Sequence, residues 1–249
     1  MPIPNSLAKL LIFATATCLV ASFVIDGRVP TQNQISEHSR REPLQEAPTK
    51  LAYKTVVQSV EYTIEPKANY DIAGVIVSMH HSNTWWDWIH ASWNDHINVA
   101  DLCMVWGNNV ASDNYRKLDY SSGQFTCNVQ TGDSSIWNAF DMTALSNNHV
   151  LTDNRHIAKQ LLNLRVGDQI RIRGTLVDYS HTQGGGFKRT TSLVRTDQGN
   201  GACETLFVDS LDMIKAAPRT PQNLRWLGSI GLILSLLIWI FLTPVGIPD

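Results

Sequence analysis

The sequence predicts a mainly β domain, closed as a small barrel with one or two helices and flanked by N- and C-terminal transmembrane helices. Three observations carry this. Apolar runs without charge stand at both ends, at Leu10–Ile25 and Trp226–Pro248. Between them lie several short β-branched runs punctuated by glycine and asparagine. Only one stretch there, Asp153–Leu164, has a clear helical period.

The N-terminal run LLIFATATCLVASFVI is 16 residues long and follows Lys9. A spanning helix needs about 20, which Leu7 and Ala8 help to supply. Residues 7–25 are therefore read as an uncleaved anchor, the alternative being a signal sequence cut near Val20-Ala21-Ser22. At the C-terminus, 23 consecutive residues lack charge, giving about 34 Å of helix at 1.5 Å per residue. Trp226 stands where an interfacial anchor belongs, and residues 226–247 are read as a transmembrane helix. Residues 26–50 show three prolines, mixed charge and no apolar period, the pattern of a disordered tether.

The remaining domain, 51–214, holds 12 Lys and Arg against 17 Asp and Glu. That acidic balance excludes a nucleic-acid partner held by its phosphate backbone. Four cysteines in 249 residues exclude a disulfide-dense miniprotein. Arg28, Arg40, Arg41, Lys215, Arg219 and Arg225 flank the spans on the domain side, which positive-inside would place in the cytoplasm. A loop of this length translocates largely regardless of charge, and the domain has an Asn- and Trp-rich, Lys-poor composition common in secreted domains. It is expected to face the periplasm from a bacterial inner membrane.

Strands are expected at Thr55–Ile64, Tyr70–Met79, Asp101–Trp106, Gln124–Val129, Gly167–Tyr179, Lys188–Arg195 and Glu204–Ile214. In Gly167–Tyr179, Ile170 and Ile172 alternate with Arg171 and Arg173, as on a half-buried strand. Asn147-Asn148-His149 reads as a turn before the helix, and a second helix is expected around Trp137–Ala144. Short strands with one helix before V-G-D-x-I-x-I-x-G resemble an OB-fold. The segments DLCMVWGNN, SNNH and GNGACE resemble a family of bacterial membrane-anchored proteins with such a domain, and that resemblance carries no activity with it.

No Walker loop, G-x-S-x-G, HExxH or CxxC is present. The densest chemistry lies in HHSNTWWDWIHASWNDH, with His80, His81, His90 and His96 as candidate ligands of a divalent metal. Their spacing matches no standard metal pattern, and a packed aromatic insertion is the plainer reading. If residues 84–94 are helical, Asp87 and His90 share one face. Trp85, Trp86, Trp88 and Trp93 offer flat faces with polar edges, suited to an envelope component or a protein partner. Arg171 and Arg173, with Lys188, Arg189 and Arg195, are candidates for an acidic ligand, against a plain solvated face.

Cys103 and Cys127 sit in expected strands and are a candidate disulfide, though Cys203 could take either place. As a free thiol, Cys203 is a candidate nucleophile flanked by Gly199–Ala202, with His149 as candidate base. Nothing in the sequence places those two side chains together. The expected function is a membrane-tethered binding or assembly module that recognises a partner protein or envelope component. The alternative is a membrane-bound enzyme using the His cluster or Cys203.

Overall fold

Two segments lack any polar face, and both are helical. A computed structural model describes residues 3–25, 29–197 and 203–243. Helix α1 (Asn5–Ile25) and the last helix, Thr220–Leu242, each contain a 20-residue window apolar enough to cross a membrane, with mean hydropathy 2.1 and 1.9. They form one compact unit, and Val29–Ala217 form the other. Within the first unit, a β-carbon on Gly228 or Gly231 would press on Leu19 or Thr15, so the missing side chains let the helices approach closely. The Thr15 and Ser235 hydroxyls lie 3.4 Å apart, and Trp239 Nε1–H donates to Asn5 Oδ1 at 3.0 Å.

The second unit is mostly β sheet. In chain order it contains β1 (Leu44–Glu46), β2 (Tyr53–Val57), β3 (Val60–His81), α2 (Ile89–Ser92), β4 (Asn98–Val105), α3 (Gly107–Ala111), β5 (Asp119–Gly123) and β6 (Thr126–Gln130). There follow α4 (Ser134–Ala139), β7 (Leu145–Leu151), α5 (Arg155–Leu162), β8 (Gln169–His181), β9 (Phe187–Arg189) and β10 (Glu204–Lys215), and the last helix is α6. The large sheet is ordered β1-β3-β4-β7-β10-β8-β9, with β2 beside β3 and a further antiparallel pairing of β3 with β8. Among the described residues only the β7–β10 pairing is parallel.

Alternation explains which faces pack. Ile72, Ile76, Leu102, Met104, Val150, Ile170, Ile172 and Leu206 turn to one face, where Ile157 and Leu161 of α5 join them. Asn154 caps α5 by accepting from the His156 amide at 2.8 Å. The opposite face of β3 and β4 is apolar too (Val75, Val77, Cys103, Val105), and Tyr115, Leu118, Phe140 and the β5–β6 hairpin cover it. Gly174 lets β10 pass close to β8, since a β-carbon there would lie 2.1 Å from the Phe207 carbonyl oxygen.

Several expectations change here. The run Thr55–Ile64 is split by a two-residue turn at Gln58 and Ser59, both at positive φ (48° and 67°). Without Gly or Asn in the turn, the sequence gives no sign of it. Asn147-Asn148-His149 is not a turn but the middle of β7. Its polar side chains are buried and bond to one another and to β4, with Asn148 Nδ2 donating to Ser146 Oγ at 2.7 Å and to the Leu102 carbonyl at 3.3 Å. The stretch read as a tether is packed from Val29 onward. β1 pairs with β3, the Ser36 amide donates to Gln169 Oε1 at 2.7 Å, and Trp106 Nε1–H donates to Glu42 at 3.0 Å. It is held by single polar side chains, which leave no periodic signature.

Candidate thiol site

Three adjacent strands bring the chemistry together. Asp101 on β4 is in register with His149 on β7, and His149 is in register with Thr205 on β10. One step along, Cys103 lies opposite Asn147. Residues directly opposite one another point to the same face. This face therefore carries Asp101 and His149 in one row, with Cys103 and Asn147 in the next. Cys203, just before β10, completes the second row: Asn147 Nδ2 lies 3.6 Å from its sulfur.

His149 is fully buried, and its Nδ1–H donates to Asp101 Oδ1 at 2.5 Å. On the other side of the ring, Nε2 meets the guanidinium of Arg189, and the ring shares a hydrogen bond with the Cys203 thiol. This is the nucleophile–base–orienter order that activates a thiol. Asp101 also accepts from the Phe125 amide at 2.6 Å and from Asn98 Nδ2 at 3.2 Å.

The charges agree with that order. Burial pushes the Asp101 carboxyl up, but the His149 charge and hydrogen bond, with His90 and the Phe125 amide, outweigh it and hold it at about 2. Burial likewise opposes charge on His149, yet Asp101 raises it above the ordinary imidazole value. Cys203 is pushed up by burial and pulled down further by the His149 hydrogen bond and charge, Arg189 and Asn147, so it ends below an ordinary thiol. Both shifts run in the direction that eases transfer of the thiol proton to His149. Next in chain, Glu204 is almost fully buried, and burial lifts its carboxyl to about 7 against the nearby Arg195.

A chain of buried polar groups runs away from Asp101. Asn98 Nδ2 is 2.9 Å from His90 Nε2, His90 Nδ1 is 2.6 Å from Asp87 Oδ2, and the same oxygen is 2.6 Å from His80 Nε2. His80, Asp87 and His90 can thus offer three ligand atoms within 4.8 Å of one another. The donors nevertheless suit protons better than a metal ion. Asp87 Oδ2 accepts from both rings, which leaves His90 Nε2 as the bare acceptor that the Asn98 amide needs. A metal on His90 Nδ1 would move the ring proton to Nε2, against the Asn98 N–H group that the Asp101 carboxylate already orients. His81 and His96 do not join this cluster; the His96 amide instead donates to Tyr62 OH at 2.8 Å.

The aromatic candidates divide. Trp86 packs against His80 with ring centroids 4.6 Å apart, and Trp93 stacks on Phe125 at 5.7 Å. Trp85 and Trp88 stand out, 95% and 68% exposed. Arg171 and Arg173 do not gather with Arg189. Arg171 grips Asp71 at 2.5 and 2.8 Å, and Arg173 pairs with Asp212 at 2.8 Å. Cys103 and Cys127 lie at disulfide distance, with Cα atoms 5.6 Å apart. Gly199–Ala202 lie outside the described residues.

The sequence reading passed over Asp101, Asn98 and Phe125, and gave Arg189 no place beside His149. Asp101 did leave a signal. It is a lone carboxylate in the apolar run VADLCMVW, and a buried charge requires a partner. Comparison with family models, with curated proteins and with solved structures finds no match to this chain.

Proposed function

We propose that this protein is a membrane-tethered, thiol-dependent enzyme of acyl transfer, with Cys203 as nucleophile, His149 as base and Asp101 as the group that orients the base. The observation that carries it is the junction of three strands that puts the Cys203 thiol, the buried His149 ring and the ionised Asp101 in sequence. In the first step the sulfur bonds to a substrate carbonyl carbon while His149 Nε2 holds the thiol proton. His149 then returns that proton to the leaving group as the carbonyl–leaving-group bond breaks, giving a thioester. Water or an acceptor nucleophile resolves the thioester and regenerates the thiol. Once Nε2 is protonated, Arg189 loses its acceptor there and faces the sulfur's negative charge.

An OB-like barrel is the architecture we infer beneath the site. Counting only β3, β4, β7, β8 and β10, the pairing order 1-2-3-5-4 returns to 1 through β3–β8, and α5 falls between the third and fourth strands. The two apolar helices support a membrane anchor at each end, and their mutual packing favours an uncleaved first segment. The Cys103–Cys127 pair supports an oxidising compartment such as a bacterial periplasm. Trp85 and Trp88 favour a second reading in which the domain also recognises a protein or envelope component through that insertion.

The test is to reduce the full-length protein in detergent with dithiothreitol, desalt it, treat it with p-nitrophenyl acetate and map adducts by mass. An acetyl group on the Cys203 peptide is expected, absent in Cys203→Ser and formed about a hundredfold more slowly in His149→Ala. Equal adduct formation in wild type and His149→Ala would sink the enzyme reading. Loss of partner capture in Trp85→Ala with acylation intact would favour the second.

A further inference from the structure

The β5–β6 hairpin pairs with no other strand among the described residues; its two strands form a sheet of their own. Yet its tip sits on the thiol site. The Phe125 ring lies 5.2 Å from the His149 ring and 4.2 Å from His90, and the Arg189 guanidinium sits over the Phe125 ring, 4.2 Å from its centroid. The Phe125 amide donates to Asp101. To make these contacts Phe125 adopts φ 61°, a region that a bulky residue enters only when its surroundings hold it there.

Two residues beyond Phe125 is Cys127, partly exposed on β6. Its disulfide-distance partner Cys103 is fully buried on β4, in the same row as Asn147 and Cys203. A single covalent bond thus fastens the cover at the edge of the site it covers.

We propose that Cys103–Cys127 is a redox latch: the bond holds the hairpin over His149 and Cys203, and its reduction by a dithiol opens the site to substrate. This rests on the thiol-site reading and adds its regulation. One thiolate of the dithiol attacks Cys127 Sγ, the accessible sulfur; the Cys127–Cys103 bond breaks and Cys103 leaves as a thiolate that takes up a proton. The dithiol's second sulfur then closes its own disulfide and releases Cys127 as a thiol. Two electrons pass from dithiol to protein, and no other oxidant or reductant is needed. Serine–serine and glutamine contacts (Ser78 to Ser122 at 2.7 Å, Gln124 Nε2 to the Trp86 carbonyl at 3.2 Å) remain to guide the hairpin back.

The experiment uses full-length protein in detergent, with or without prior dithiothreitol, desalted and alkylated with N-ethylmaleimide. Peptide mapping reads the three domain cysteines separately. Reduction is expected to speed Cys203 alkylation by about tenfold or more. A Cys103→Ser/Cys127→Ser variant should alkylate at the fast rate in both conditions. Should that variant misfold, Phe125→Gly keeps the bond and should give the fast rate without reductant. The latch is overturned if Cys203 reacts at one rate throughout while Cys103 and Cys127 pass from blocked to reactive. It is equally overturned if those two are reactive before reduction. Loss of the thiol-enzyme reading would show elsewhere, in a Cys203 pH profile that His149→Ala leaves unmoved.

Discussion

At the scale of single residues, His149 carries the greatest consequence. It is buried beside an anionic Asp101, so it holds a proton more tightly than an ordinary imidazole and the neighbouring thiol ionises at lower pH than usual. Iodoacetamide alkylation of the reduced protein should therefore proceed at Cys203 well below the ordinary thiol pKa of about 8.5. In His149→Ala that profile should shift to alkaline pH, and in Asp101→Asn it should move in the same direction by less. Glu204 gives an independent prediction about stability. Its carboxyl sits near 7 in the folded protein, above its unfolded value, so the folded state binds the proton more tightly. Its contribution is complete below the unfolded pKa and is lost as pH rises through about 7. Asp95, nearly fully buried and also near 7, acts in the same sense. Thermal melts should show Tm falling from pH 5 to pH 8, and Glu204→Gln should flatten that slope; an unchanged slope would contradict the assignment.

Elements show why some of this was legible and some not. The strand from Gly167 onward was readable because Ile170 and Ile172 alternate with paired arginines, and α5 because Ile157 and Leu161 repeat at helical spacing. β7 was hidden, because a strand with Ser146, Asn147 and Asn148 in its middle looks like a turn until β4 supplies their partners. For the same reason Cys203 and His149 could each be named as candidates but not joined: their meeting depends on the parallel β7–β10 pairing, a contact across more than fifty residues that no local pattern encodes. Close packing of elements also yields a test. Gly174→Ala would drive a β-carbon into the Phe207 carbonyl and should destabilise the domain by about 1–3 kcal/mol, read by denaturant unfolding. In α6, Gly231→Leu should weaken its packing on α1 without touching the thiol site, visible as lost cross-linking between cysteines introduced in the two helices.

For the whole molecule, the sheet domain lies in the sequence between two helices apolar enough to cross a membrane. An extracytoplasmic domain predicts that a membrane-impermeant maleimide will label reduced Cys203 in intact cells; labelling only after lysis would instead place the domain in the cytoplasm. The tally of charges alone had no means of locating Arg189 beside His149.

β10 ends at Lys215, and α6 begins at Thr220. The strand that bridges β7 and β8, and whose first residue follows Cys203, is therefore the last part of the sheet to leave the ribosome, only a few residues ahead of the second apolar helix. Until that moment Asp101 and His149 are already made but lack the Cys203 thiol beside them. A chain interrupted at any earlier point lacks Cys203, so the proposed thiol pair comes into being only once all but the last apolar helix has been made.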